Sequence, residues 1–276
     1  MVATTGTRSI TQAGRYEPFE LQVSRGVIGG HTAISIFGYG TTGTTAGTFY
    51  TVWENSPTNY VYPSSPQVMY LASTVSGDSG VLITITGLNS SYNVISETLA
   101  LGSSTTTGVA TANTYWRINN ISVSLGSTAN PTGVITLANQ ATVSGATIYA
   151  QINTTTFNGS TVSIGTSQMS LYTVPANNSL YLSRFTGSGS LTGSTVEYST
   201  WRAVAQYPSV LNAATATLIR RVVIDSPYSQ QYNIQRAYPF LYPAGTDIQF
   251  QIAPSTTAAV VTGVNVGGVL IQNRST

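Results

Sequence analysis

Apolar and polar residues alternate with a period of two along most of this chain, the spacing of a pleated strand with one face buried. Phe19-Glu20-Leu21-Gln22-Val23 sets three apolar residues against two polar ones, which predicts a first strand. Val81, Ile83 and Ile85 alternate with Leu82, Thr84 and Thr86, a strand buried on one face and partly covered on the other. Ile121, Val123 and Leu125 alternate with serines; Leu180 and Leu182 stand opposite Tyr181 and Ser183. Ile248, Phe250 and Ile252 lie between Asp247, Gln249 and Gln251, which predicts one apolar and one polar face. Val, Ile, Thr and Tyr dominate these runs, as a half-buried pleated surface favours. Helical periodicity is nearly absent.

Between the strands lie clusters of Gly, Ser, Asn and Pro, the residues that supply turns: 38–47, 76–80, 126–133 and 187–193. Many short strands separated by such turns predict an all-β chain, an antiparallel β-sandwich or jelly-roll-like architecture. The length accommodates two tandem sandwiches. On turn chemistry, residues 16–127 form the first and 128–276 the second, with the break in the 126–133 stretch. A single larger sandwich with long loops is the competing layout. Residues 1–15 are polar and lack alternation, and are read as an extended N-terminal arm, free or draped on a neighbour in an assembly.

Composition changes what such a surface is for. Only 7% of the 276 residues are charged, and all ten basic residues are arginine. Lysine is depleted from protein–protein interfaces and arginine enriched there. A surface built from hydroxyls and amides suits contact with other protein; codon bias with a β-rich composition is the alternative reading. A net charge of +2 with scattered arginines is too mild to grip nucleic acid, so no nucleic-acid partner is expected. No apolar stretch reaches the roughly 20 residues of a membrane span. The N-terminus lacks a signal-peptide pattern, so assembly in a cytoplasm is expected.

The chemical motifs are thin. Gly38-Tyr39-Gly40-Thr41-Thr42-Gly43 matches a dinucleotide-loop pattern, but Thr44-Thr45-Ala46-Gly47 is a poor helix start, so a glycine–threonine hairpin loop is the preferred reading. Gly77-Asp78-Ser79-Gly80 copies the surroundings of a serine nucleophile, with His31 the sole histidine. The carboxylates between them, Glu54 and Asp78, and the short separation argue instead for a tight turn. One histidine, no cysteine and eight dispersed carboxylates close neither a zinc nor a calcium site. No catalytic, cofactor-binding or metal-binding residue is assigned, and the six Asn-x-Ser/Thr triplets are attributed to chance in a Ser/Thr-rich chain. Aromatics offer one binding alternative. The densest cluster, Phe49 to Tyr62, nominates Trp53, Tyr60 and Tyr62 as glycan or partner contacts, since a sugar's apolar face packs on an exposed ring.

Several stretches in order along the chain carry a resemblance. They are Glu17-Pro18-Phe19-Glu20-Leu21-Gln22-Val23-Ser24-Arg25-Gly26 with Gly30-His31, Ile95-Ser96-Glu97-Thr98-Leu99 with Tyr115-Trp116-Arg117-Ile118-Asn119-Asn120, and Tyr149-Ala150-Gln151-Ile152-Asn153. Further on come Ser167-Gln168-Met169-Ser170-Leu171-Tyr172-Thr173-Val174-Pro175-Ala176 with Tyr181-Leu182-Ser183-Arg184, and Tyr242-Pro243-Ala244-Gly245-Thr246-Asp247-Ile248. The sequence resembles β-rich structural proteins of tailed phages that infect aquatic bacteria, of the cyanophage type. The resemblance implies a virion component without known catalysis, and it carries over no functional residue. The expectation is a capsid decoration or cement protein on the phage head, with a tail or fibre-associated protein binding host-surface glycan as the alternative. The expected partners are a major capsid protein or other virion proteins and sister copies. Arg8, Arg15 and Tyr16 are the candidate assembly contacts.

Overall fold

The computed structural model describes residues 17–157, 159–191, 199–208, 218–229 and 231–273. Within them the chain is almost wholly β. A short helix, α1 (Phe19–Ser24), leads into β1 (His31–Thr41) and β2 (Tyr50–Thr51). Then come β3 (Gln67–Ser73), β4 (Leu82–Leu88), β5 (Val94–Ala100), β6 (Val109–Tyr115), β7 (Arg117–Val123), β8 (Ile135–Ala138) and β9 (Ile148–Ile152). A hairpin, β10 (Thr154–Phe157) and β11 (Ser160–Ser163), precedes β12 (Leu171–Thr173). The last strands are β13 (Asn178–Leu191), β14 (Ser199–Pro208), β15 (Leu218–Ser229), β16 (Gln231–Tyr242), β17 (Asp247–Pro254) and β18 (Val260–Gln272).

Two cores organise these strands. Sheets β6-β3-β8-β9 and β5-β4-β7 enclose the first, where Met69, Leu71, Ile135 and Leu137 meet Ile83, Ile85 and Ile121. Sheets β1-β18-β13-β16 and β12-β17-β14-β15, with β2 on β17, enclose the second around Leu182, Phe185, Trp201, Phe250 and Val266. All the pairings are antiparallel. β1 and β2 therefore join strands near the far end of the chain, and β3–β9 are inserted between them. The 126–133 stretch, where turn chemistry suggested a break, joins β7 to β8 within the first sandwich. Asp78 fastens it: its carboxylate accepts from the backbone N–H groups of Thr132 (2.8 Å) and Gly133 (2.9 Å) and from the Ser73 hydroxyl.

The alternation expected for β4 is seen directly. Ile83 and Ile85 are fully buried, while Thr84 bonds Thr98 across the strands at 3.0 Å. Three expectations are corrected. Phe19–Ser24 is a helix rather than a strand, because Leu21 and Gln22 both donate to the Pro18 carbonyl and the Gln22 side chain donates to that of Glu17. Five alternating residues are too few to outweigh these local bonds. Gly38 and Gly40 lie inside β1 rather than in a hairpin loop. A Cβ at Gly38 would overlap the backbone of Ser170 and Val52, and one at Gly40 that of Trp53, so the glycines let β1 lie directly on neighbouring backbone.

Gly187 and Gly189, read as turn, lie in β13 beneath Trp201. A Cβ at Gly187 would sit 3.0–3.2 Å from the Trp201 ring. Gly187→Ala is accordingly expected to cost about 1–3 kcal/mol through overpacking, read as a lower urea midpoint at unchanged m-value.

Candidate functional site

The seam between the two sandwiches carries a cavity of about 1100 Å³. It exists because β17 is buried along its whole length, on its polar as well as its apolar face. Its apolar residues Ile248, Phe250 and Ile252 enter the second core, and Asp247, Gln249 and Gln251 line the cavity. The polar face expected from the alternation thus meets the first sandwich.

From the other side comes Arg117. The chain passes from the sheet of β6 to the sheet of β7 at Trp116, so Tyr115 enters the first core, Trp116 stays partly exposed at the corner and Arg117 points into the seam. Arg117 donates through Nε and Nη2 to the two Asp247 oxygens, both at 2.8 Å. Its Nη1 donates to the carbonyls of Pro63 (3.0 Å) and Trp116 (2.9 Å). Asp247 also accepts from the Thr173 hydroxyl at 2.6 Å. Both side chains are almost fully buried. Burial alone would lower the arginine's pKa; the Asp247 carboxylate outweighs it and holds the guanidinium charged above its usual range. Asn119 and Thr173 exchange two hydrogen bonds nearby, and the Tyr62 hydroxyl donates to the Ile248 carbonyl at 3.2 Å.

Rings surround this clasp. The Arg117 guanidinium lies 4.9 Å from the Tyr62 ring and 5.3 Å from the Trp116 ring, and Tyr92 stacks at a tilt on Trp116 with centroids 5.1 Å apart. Tyr92 and Asn177 are the non-glycine residues with positive φ among the described residues (60° and 57°), and both line the cavity. Such a conformation costs on the order of 1–3 kcal/mol and gathers at functional sites. The two loops are bolted together by the Ala176 N–H donating to the Tyr92 carbonyl at 2.8 Å.

The aromatic candidates from the sequence separate here. Trp53 is buried in the first core with its indole N–H donating to the Thr58 carbonyl, so it presents no face to a ligand. Tyr60 is buried too, in edge contact with Trp53, Tyr62 and Tyr149. Tyr60 and Tyr62 both line the cavity, Tyr60 with little of its surface exposed, and they are joined by Tyr92 and Trp116, which were not nominated. The signal for Tyr92 was a ring inside the turn-forming run Asn89-Ser90-Ser91-Tyr92-Asn93. Arg8, Arg15 and Tyr16 lie outside the described residues.

The catalytic look-alikes come apart. His31 opens β1 on the second sandwich, whereas Ser79 follows a 3-10 turn (Ser76–Asp78) on the first. Asp78 is occupied with Ser73, Thr132 and Gly133; burial pushes its pKa up, and these hydrogen bonds together hold it below the usual value. Among the described residues no group of three His, Asp or Glu comes together.

No family model matches the chain, and no curated protein matches it. Among solved structures it is similar to infectious bursal virus-derived T=1 particles, with 11% identity over 89% of this chain and 75% of that one at a TM-score of 0.21. The infectious bursal disease virus Gt strain gives 10% identity, 89% and 76% coverage and a TM-score of 0.21. Sulfolobus turreted icosahedral virus gives 10% identity, 87% and 92% coverage and a TM-score of 0.14. Likeness of this size extends to neither fold nor role.

Proposed function

We propose that this chain is a non-enzymatic structural component of a virus particle, decorating or cementing the exterior of a phage head. The observation that carries the reading is where the charges go. Glu54, Asp78 and Asp247 are buried in internal contacts, and Glu97 caps the backbone N–H groups of Ala112 and Asn113. Arg117 is buried on Asp247, and Arg25 pairs with Glu17. Among the described residues these ionisable groups act as fasteners within the fold, while Glu20 and Arg25 stay exposed beside a surface rich in hydroxyls and amides. A surface of that kind supports many weak contacts with neighbours, held together by avidity. The ordered resemblance to phage structural proteins supports the same reading.

A specific contact buries on the order of 1,600 Å², more than one strand edge supplies, and residues 1–16 are the segment proposed to add to it. Deleting Met1–Tyr16 is expected to release the protein from particles while leaving its unfolding midpoint unchanged. Wild-type occupancy after the deletion refutes the clamp. A second reading, a tail or fibre protein holding host-surface glycan, is favoured by the aromatic lining of the seam cavity. Copy number separates the two: on the order of hundreds per particle supports head decoration, and about a dozen supports the tail.

A further inference from the structure

We infer that the seam cavity is a binding site for a neutral saccharide chain, held by stacking on Trp116 and Tyr92 and by side-chain amides and hydroxyls. The inference sharpens the glycan reading yet rests on the cavity alone, wherever the chain sits in a particle.

Five features of the lining select this ligand class. Its volume, about 1100 Å³, lies just above the range of about 300–1,000 Å³ usual for small-molecule sites, so it takes several linked units rather than one. Its rings are partly exposed and backed: Tyr92 rests on Trp116, and Trp116 on Arg117. The apolar C–H face of a sugar ring packs on such a surface.

The clasp is closed on itself. Both Asp247 oxygens accept hydrogen bonds, and Arg117 donates to Asp247, Pro63 and Trp116, so neither seeks a charged ligand. Arg202, the other lining cation, donates to Gln251 at 2.7 Å and lies over the Phe49 ring. What remains to recognise a ligand is neutral: the amides of Asn177 and Gln206 and the hydroxyls of Ser64, Ser90 and Ser91, the Asn59 amide being engaged with Thr51 and Phe49. An amide, with an acceptor and two donors, matches the paired hydroxyls of a sugar.

The strand beneath offers no open edge. β17 is paired with β12 and β2 on one side and β14 on the other, so an extended peptide cannot add to it as a strand. Finally, the positive φ of Tyr92 and Asn177 sets two lining residues in costly conformations at one cavity. That cost is explained if the loops are held ready for a ligand.

The test is a titration of the full chain with linear pentasaccharides of α-glucose, β-glucose and N-acetylglucosamine. Binding is read by tryptophan fluorescence and by calorimetry. Trp53 and Trp201 are buried, so a saturable change in emission reports on Trp116. At least one pentasaccharide is expected to bind with a Kd of about 1 mM or tighter. Trp116→Ala is expected to weaken binding at least about tenfold, the loss of about 1.4 kcal/mol. Tyr92→Gly keeps the left-handed backbone without its strain, so it should lose binding at an undiminished unfolding midpoint even where Trp116→Ala folds poorly. The inference is overturned if no pentasaccharide binds at about 10 mM, or if binding survives Tyr92→Gly. It is also overturned if a synthetic peptide of residues 1–16 saturates the Trp116 signal while the sugars do not. Copy number in particles tests the location independently of any of these outcomes.

Discussion

Replacing Asp247 with alanine is expected to destabilise the protein by about 3–5 kcal/mol, because it strands a buried guanidinium. Arg117 has 6% of its side chain exposed and Asp247 2%, so neither is relieved by water. The four hydrogen bonds that Arg117 donates also tie the Tyr62–Pro63 loop and the Trp116 corner to β17. Loss of Asp247 therefore loosens the seam and the cavity together. Denaturant unfolding of Asp247→Ala, Arg117→Met and the double variant measures the effect. The double variant is expected to cost less than the sum of the singles, since it leaves no orphan charge. A loss below about 1 kcal/mol in Asp247→Ala would show that solvent reaches the pair and that the seam is open.

Stability is expected to fall as pH rises from about 4.5 to about 7, through Glu54. Its carboxyl is buried where Trp53 bridges to Met169, and burial pushes its pKa from the ordinary 4.5 up to about 7, against two backbone N–H groups that favour the charged form. Below 4.5 the group is protonated both folded and unfolded, so this contribution to stability is fully present. Between the two values the folded chain holds a proton that the unfolded chain releases, and stability drops by about 1.4 kcal/mol per pH unit. Above about 7 the loss, about 3 kcal/mol in all, is complete. Asp78 acts in the opposite sense at lower pH. Its lowered pKa makes stability decline as pH falls below the ordinary 3.8. Glu54→Gln is expected to abolish the decline between 4.5 and 7. It should also lower stability at pH 4.5, because an amide cannot accept from both Asn153 and Gln168. Unfolding midpoints across pH 4 to 8, with and without the substitution, decide it. A slope that persists in Glu54→Gln assigns the titration to another group.

How far the sequence carries is clearest in β4 and β17. For β4, alternation named the buried Ile83 and Ile85 and the outward threonines, because its two faces meet what their chemistry prefers, core and solvent. For β17 the same alternation placed Ile248, Phe250 and Ile252 correctly inward. It also put Asp247, Gln249 and Gln251 on a polar face without revealing what covers that face. A polar face bordering water and one bordering another sandwich's arginine read alike, since period two reports polarity and not the partner. The candidate site was half legible for the same reason. Tyr62 belonged to a visible cluster, but Trp53 in that cluster is core, and burial of a ring depends on which strands close over it. The glycines of 38–40 and 187–189 misled similarly. Absence of a side chain marks either a turn or a close approach of backbones, and only the position of Ser170 or Trp201 tells which.

By itself, then, the sequence determined the all-β character, most strand positions and the sparing use of charge, because these follow from residue type and short-range spacing. Tertiary structure alone decided that β1 and β2 join β18 and β17, that Arg117 finds Asp247 130 positions away, and that Tyr62, Tyr92 and Trp116 share one cavity. Those outcomes depend on pairings between distant segments, where the free energy of burying two faces together selects a partner that no local pattern encodes.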